Sequence, residues 1–133
     1  MAYIRKKKKT VSDALQKRSE DTIAYAIQTL RNSEISAYIR HAILFGSCAR
    51  HEQNFSSDVD LLVELDASID LAKAKKEIQQ LITLVSPTDL SLPQVDLKIE
   101  IGPEWHDDNS FFHQQILKEG IEVWNGNTTL PVI

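Results

Sequence analysis

Leu44-Phe45-Gly46-Ser47-Cys48-Ala49-Arg50 and, after a polar stretch, Ser57-Asp58-Val59-Asp60-Leu61-Leu62-Val63 decide the reading of this 133-residue chain. Ala42 to Phe45 is a short apolar run closed by Gly46, the pattern of a buried strand. Val59, Leu61, Val63 and Leu65 alternate with Asp58, Asp60, Leu62 and Glu64, which is strand period. Asp58 and Asp60 therefore share one face while the aliphatic residues point to the other. Two carboxylates that close repel each other unless a cation lies between them. Mg²⁺ is the natural one, because it takes hard oxygen ligands from one or two carboxylates and from phosphate.

Val95 to Ile101 repeats the alternation, with Asp96 on the polar side and Leu97 and Ile99 opposite. If the two strands are neighbours, Asp58, Asp60 and Asp96 converge on one surface, a cradle suited to two ions roughly 3.5–4 Å apart. Gly46 lets the backbone approach a ligand closely. A short helix expected over 47–53 would aim free N–H groups at an anion, and Ser47 adds a hydroxyl. Arg50 is a candidate phosphate contact from the same turn.

The rest of the chain supplies the cover. A helix is expected over residues 12–30 with Ser12 as its cap, and its apolar face is Leu15, Ile23, Ala26, Ile27 and Leu30. A helical turn is expected near 35–38. An amphipathic helix over 69–85 carries Leu71, Ala74, Ile78, Leu81, Ile82 and Val85 on one side. A last helix is expected over 110–119, ended by Gly120, then an edge strand over 121–124. Strands are expected near 41–46, 58–65 and 95–101. The fold class is thus α/β, a small mixed sheet with helices on its apolar face and the aspartate face open. Trp105, Phe111, Phe112 and Trp124 are expected in the core. Lys98 is expected to pair with Asp96, and Cys48 to be a packing unit. His41, His51, His106 and His113 have no metal-ligand spacing, and the acids around His106 (Glu104, Asp107, Asp108) read as a helix approach.

Composition bounds the function. The chain carries 15 basic and 19 acidic residues, a net charge of −4, with one cysteine. Arg5 to Lys9 place five of the bases in the first ten residues, so ten bases face 19 acids in the remainder. An acidic body argues against a nucleic-acid partner. A single cysteine excludes an internal disulfide framework. No apolar run reaches the ~18–20 residues of a membrane span and no leader pattern follows the start, so a cytoplasmic address is expected. The chain divides into a basic arm (1–10), one domain (11–124) and a tail (125–133) ending Leu130-Pro131-Val132-Ile133, a candidate docking segment.

Gly-Ser, ten intervening residues, then Asp-x-Asp resembles the signature of the DNA-polymerase-beta-like nucleotidyltransferase superfamily. The strings LFGSCAR, SDVDLLVEL, VDLKI and FFHQQILKEGIEVW resemble its minimal members over roughly residues 36–124. One departure is His51, where these proteins commonly carry glycine. The resemblance implies that Gly46 and Ser47 hold a triphosphate, that Asp58 and Asp60 bind Mg²⁺, and that Asp96 completes a second metal and accepts the proton of the attacking hydroxyl. It also implies ATP as donor and, as acceptor, a partner HEPN-domain toxin. A chain of this length leaves no room for a separate acceptor domain, so a site shared within a homo-oligomer is a further option. A small-molecule adenylyltransferase and an inactive nucleotide-binding or toxin-neutralising module are the alternatives.

Overall fold

The computed structural model describes residues 10–125. The basic arm up to residue 9 and the tail from residue 126 lie outside the described residues. The first helix, α1 (Val11–Asn32), starts one residue earlier than expected, and its cap is Thr10, two residues before Ser12. Thr10 Oγ1 accepts from Asp13 N at 3.0 Å while Thr10 N donates to Asp13 Oδ2 at 3.2 Å. That reciprocal pair satisfies two otherwise orphaned groups, which Ser12 lacks a partner to do. Ile23, Ala26, Ile27 and Leu30 are buried along its inner face with Ser19 and Thr22.

A 3₁₀ turn at Ser36–Tyr38 leads into β1 (Ile39–Phe45), followed by β2 (Val59–Leu65), α2 (Leu71–Leu84), β3 (Val95–Ile101), a second 3₁₀ turn (Glu104–Asp107), α3 (Phe111–Glu119) and β4 (Ile121–Asn125). The sheet order is β3-β2-β1-β4. β1 pairs antiparallel with β2 and β4, whereas β2 and β3 are parallel. A parallel pair needs a crossover, and α2 supplies it. Asp70 caps α2 by accepting from Lys73 N. Ala74, Leu81 and Val85 are buried there, but Leu71 and Ile82 of the expected stripe are about half exposed.

The main core lies between the sheet and α1 with α2. It contains Val59, Leu61, Val63 and Leu65 of β2, Ala42 and Leu44 of β1, and Val95 and Leu97 of β3. Thr22 Oγ1 donates to Pro93 O at 2.7 Å, which ties α1 to the entry of β3. The fold class is as the sequence implies, α/β with a small mixed sheet, with one change in its cover. The opposite face is open only at one end. Its far end is capped by the second 3₁₀ turn and α3, through a smaller cluster of Leu62, Trp105 and Ile116 with Ile43 and Phe45 against it. The cause is Leu62, an aliphatic residue on the aspartate side of β2, which is fully buried.

Trp105 and Trp124 are core residues as expected, but Phe111 and Phe112 are not, being 79% and 42% exposed. α3 turns Ile116 inward; Phe111, five positions before it, lies off that face, while Phe112, one turn before it, keeps to that face at the helix start and packs edge-on against Phe45. Among the described residues no helix is long and apolar enough to cross a membrane.

Candidate active site

The second face of the sheet is arranged in rows across the strands. Phe45 of β1 stands opposite Asp60 of β2, and Asp60 is in register with Asp96 of β3. The next row is Ile43, Leu62 and Lys98, and beyond it stand Glu64 and Glu100. Asp58 lies just ahead of β2 with the same parity as Asp60. The parallel register places Asp60 and Asp96 side by side on one face, with Leu61 and Leu97 turned to the core. Val59 N donates to Gln94 O at 2.8 Å and starts this register.

Burial, chiefly, pushes the Asp60 carboxyl above its ordinary range, and the negative charges of Asp96 and Asp58 push it further. Lys98 and Arg50 oppose that rise. Lys98 Nζ lies 3.3 Å from Asp96 Oδ1, the pairing expected from sequence. The face thus gathers more acid than its bases neutralise. Such an arrangement is unfavourable when empty and is relieved by a cation.

Gly46 is fitted to the acid beside it. Its φ is +76°, a left-handed conformation that suits glycine. A Cβ built on it would stand 2.3 Å from Asp60 Oδ2 and 3.2 Å from Asp60 Cγ. The backbone after β1 therefore lies directly against the Asp60 carboxylate. Residues 47–53 do not form the expected helix. They make a wound turn in which Arg50 N donates to Gly46 O at 3.2 Å, His51 N to Cys48 O at 3.3 Å and Glu52 N to Ser47 O at 2.8 Å. His51 ends the winding with φ +58°, which a continuing helix does not permit. The position that resembles a glycine site is thus one whose backbone favours glycine.

Arg50 lies at the surface of this turn, with Nε 3.1 Å from Glu52 Oε2 and one terminal nitrogen 3.3 Å from Glu119 Oε2. It joins the turn to the end of α3. Cys48 is buried, its Sγ 3.6 Å from Ser19 Oγ, and burial raises its thiol pKa despite that bond. It is the packing unit expected.

Sequence reasoning missed the support at the far end of the face. The buried Glu64 accepts from Trp105 Nε1 at 2.7 Å and lies 2.9 Å from His106 Nε2. His113 spans Asp108 at 2.6 Å and Glu100 at 2.9 Å. Burial opposes its protonation, but the bonds to Asp108 and Glu100 prevail and raise its pKa. These links fasten the 3₁₀ turn and α3 to β2 and β3. The only local signal for them is the pair of acids, Glu64 and Glu100, at strand positions that face Asp60's side.

A family model for polymerase beta nucleotidyltransferases matches residues 25–129. The chain is a member of that nucleotidyltransferase family. The crystal structure of a protein from Sulfolobus solfataricus described as a nucleotidyltransferase shares its fold, with a TM-score of 0.57 and 15% identity over 89% of this chain and 90% of the other. No curated protein matches the chain.

The nucleotidyltransferase fold implies divalent metal, and the donor chemistry can be set against that. Among the described residues no three His, Cys, Asp or Glu side chains are arranged to hold an ion by themselves. Asp60 and Asp96, side by side, with Asp58 preceding them, suit the other mode, in which Mg²⁺ is shared between one or two carboxylates and the phosphates of a substrate. The residues fit a metal that arrives with nucleotide better than a preformed cage.

Proposed function

We propose that this nucleotidyltransferase moves AMP from ATP to a hydroxyl, with two Mg²⁺ ions held by Asp58, Asp60 and Asp96, and that the hydroxyl belongs to a HEPN-domain partner protein. The observation that carries the reading is the register of Asp60 beside Asp96, with Asp60 lying against the Gly46 turn. The acids and the Gly46 turn meet at one end of the sheet, where phosphoryl-type transfer needs alignment and charge neutralisation.

Each residue has a part in that scheme. Gly46 lets the turn approach the phosphates without a side chain, and Ser47 offers them a hydroxyl. Arg50 faces them once released from Glu52 and Glu119. Asp58 and Asp60 hold the metal-bound triphosphate in line, and Asp96, on the neighbouring strand, accepts the proton of the attacking hydroxyl. Mg²⁺ bound there would neutralise the triphosphate and favour departure of pyrophosphate. The partner and the ATP preference follow from the resemblance to minimal nucleotidyltransferases.

The test is incubation of the full chain with α-labelled nucleoside triphosphates, Mg²⁺ and a HEPN-domain protein. Label should pass to the partner from ATP, and should be lost with EDTA or with Asp60→Asn. Transfer that persists in either control refutes the metal-acid scheme; transfer only to a small hydroxylated molecule refutes the protein acceptor.

A further inference from the structure

A cavity of about 260 Å³ adjoins the Gly46 turn on the side of α3. Its walls are Phe45, Phe111, Phe112 and Ile116, and Gly46 and Arg50 form its edge toward the acids. We propose that this cavity seats the nucleobase of the bound nucleotide, an inference that rests on the nucleotidyl-transfer reading above.

Three observations point to a planar ring. First, Phe111 and Phe112 are large aromatic side chains left 79% and 42% exposed at the start of α3, and both line the cavity. Phe112 stands edge-on to Phe45, with ring centroids 5.5 Å apart, so three phenyl groups surround one space. Aromatic walls stack any base, because every base has a π-face. Second, the volume is below the ~300–1,000 Å³ of sites for drug-sized ligands, which suits one flat ring system and not a polycyclic acceptor. Third, Gln115 is also in the lining, and its amide offers two donors and an acceptor to the edge of a base.

The position selects the nucleotide over the acceptor. Gly46 belongs both to the cavity and to the turn whose backbone touches the Asp60 carboxylate. A ligand whose phosphates lie on Gly46 and Ser47 carries its base only a few bonds away, and it reaches the cavity without crossing the acid face. Arg50, paired with Glu119, bridges the rim between the turn and α3.

The experiment is calorimetric titration of the full chain, in Mg²⁺, with ATP and with inorganic tripolyphosphate, which lacks base and sugar. The wild type should bind ATP at least about fivefold more tightly than tripolyphosphate, the low end of one stacked base. Phe111→Ala and Phe112→Ala should remove most of that difference and leave tripolyphosphate affinity unchanged. Phe112→Leu keeps an apolar plug against Phe45 and serves if the alanine variant fails to fold. Equal wild-type affinity for the two ligands, or ATP affinity unchanged in the variants even where transfer falls, overturns the base assignment while leaving nucleotidyl transfer standing. A wild type that binds neither ligand overturns both.

Discussion

Gly46→Ala separates the two things that glycine does. The φ of +76° costs a non-glycine residue about 1–2 kcal/mol. Alanine recovers about 0.5–1 kcal/mol by restricting the unfolded chain. The net loss of stability is then about 1 kcal/mol, a shift of a few degrees in Tm for a domain of this size. The contact with Asp60 is relieved differently. Asp60 Cβ would stand at an ordinary 3.4 Å from the new methyl, while Oδ2 at 2.3 Å and Cγ at 3.2 Å would not. Rotation of the carboxylate clears the clash at little cost to the fold, but it removes that carboxylate from its place beside Asp96. A displacement of about 1 Å in such a group can cost about 100-fold in rate. Chemical denaturation and label transfer on the same preparation should therefore show a small stability loss and a rate loss of about 100-fold or more. In an Asp60→Ala background the same substitution should cost the same stability to within about 0.5 kcal/mol, because only the backbone strain remains. Transfer retained within threefold of wild type would refute the argument that Gly46 exists to admit the Asp60 carboxylate.

Asp60→Asn should abolish transfer yet leave Tm unchanged or raised in metal-free buffer, since it removes one of the charges that repel at the site; a fall of several degrees would show that the carboxylate is structural. His51→Gly relieves a φ of +58° at an exposed turn and should add about 0.5–1 kcal/mol in urea unfolding, after the entropy of glycine is subtracted; a loss of stability would refute the strain. Asp66 is held at about 2 by the Ser68 hydroxyl and amide and then by Arg40, so its folded pKa lies below its unfolded value. Its contribution is present above about pH 4 and disappears as pH falls toward 2. Acid unfolding of Asp66→Asn should accordingly be shallower than wild type in that window, and parallel curves would refute the linkage. His113 has the opposite sign: its raised pKa contributes below about pH 6.5 and the contribution is lost as pH rises beyond it. Hydrogen exchange of α3 should therefore quicken with pH in wild type, beyond the intrinsic rate, more than in His113→Gln.

What could be read from sequence was whatever a short-range pattern controls. The two-residue period of β2 and β3 by itself places Asp60 and Asp96 on the face opposite Leu61 and Leu97. The cap of α1 is equally local but ambiguous by residue type, because Thr10 and Ser12 are both capping types and only Thr10 has an acid three residues on. The turn after Gly46 depends on a positive φ at His51, which histidine does not advertise. The cover of the second face was out of reach for another reason. α3 is nine residues long with apolar side chains at Phe111, Phe112, Ile116 and Leu117, and which of them is buried depends on where Leu62 and Trp105 lie. Leu62 lies 54 positions from Ile116 along the chain. The Glu64 and His113 links are long-range for the same reason.

The parallel pairing of β2 with β3 carries a consequence for how such a site drifts over time. Every residue of Val59–Leu65 is matched one to one with Val95–Ile101. Sliding one strand by a single place would separate Asp60 from Asp96, but it would also turn Leu61, Val63 or Leu97 out of the interior and into water. Each buried aliphatic side chain is worth about 1.5–3 kcal/mol, against a total stability of about 5–15 kcal/mol for a whole domain. A chain that misaligned its acids would therefore forfeit its fold. Substitution can erase an acid of this pair in one step, as it would any surface residue, but it has no gradual route to moving the two apart. Lineages carrying this sheet should accordingly show the pair either intact or missing a member outright, with the geometry of what is left unaltered.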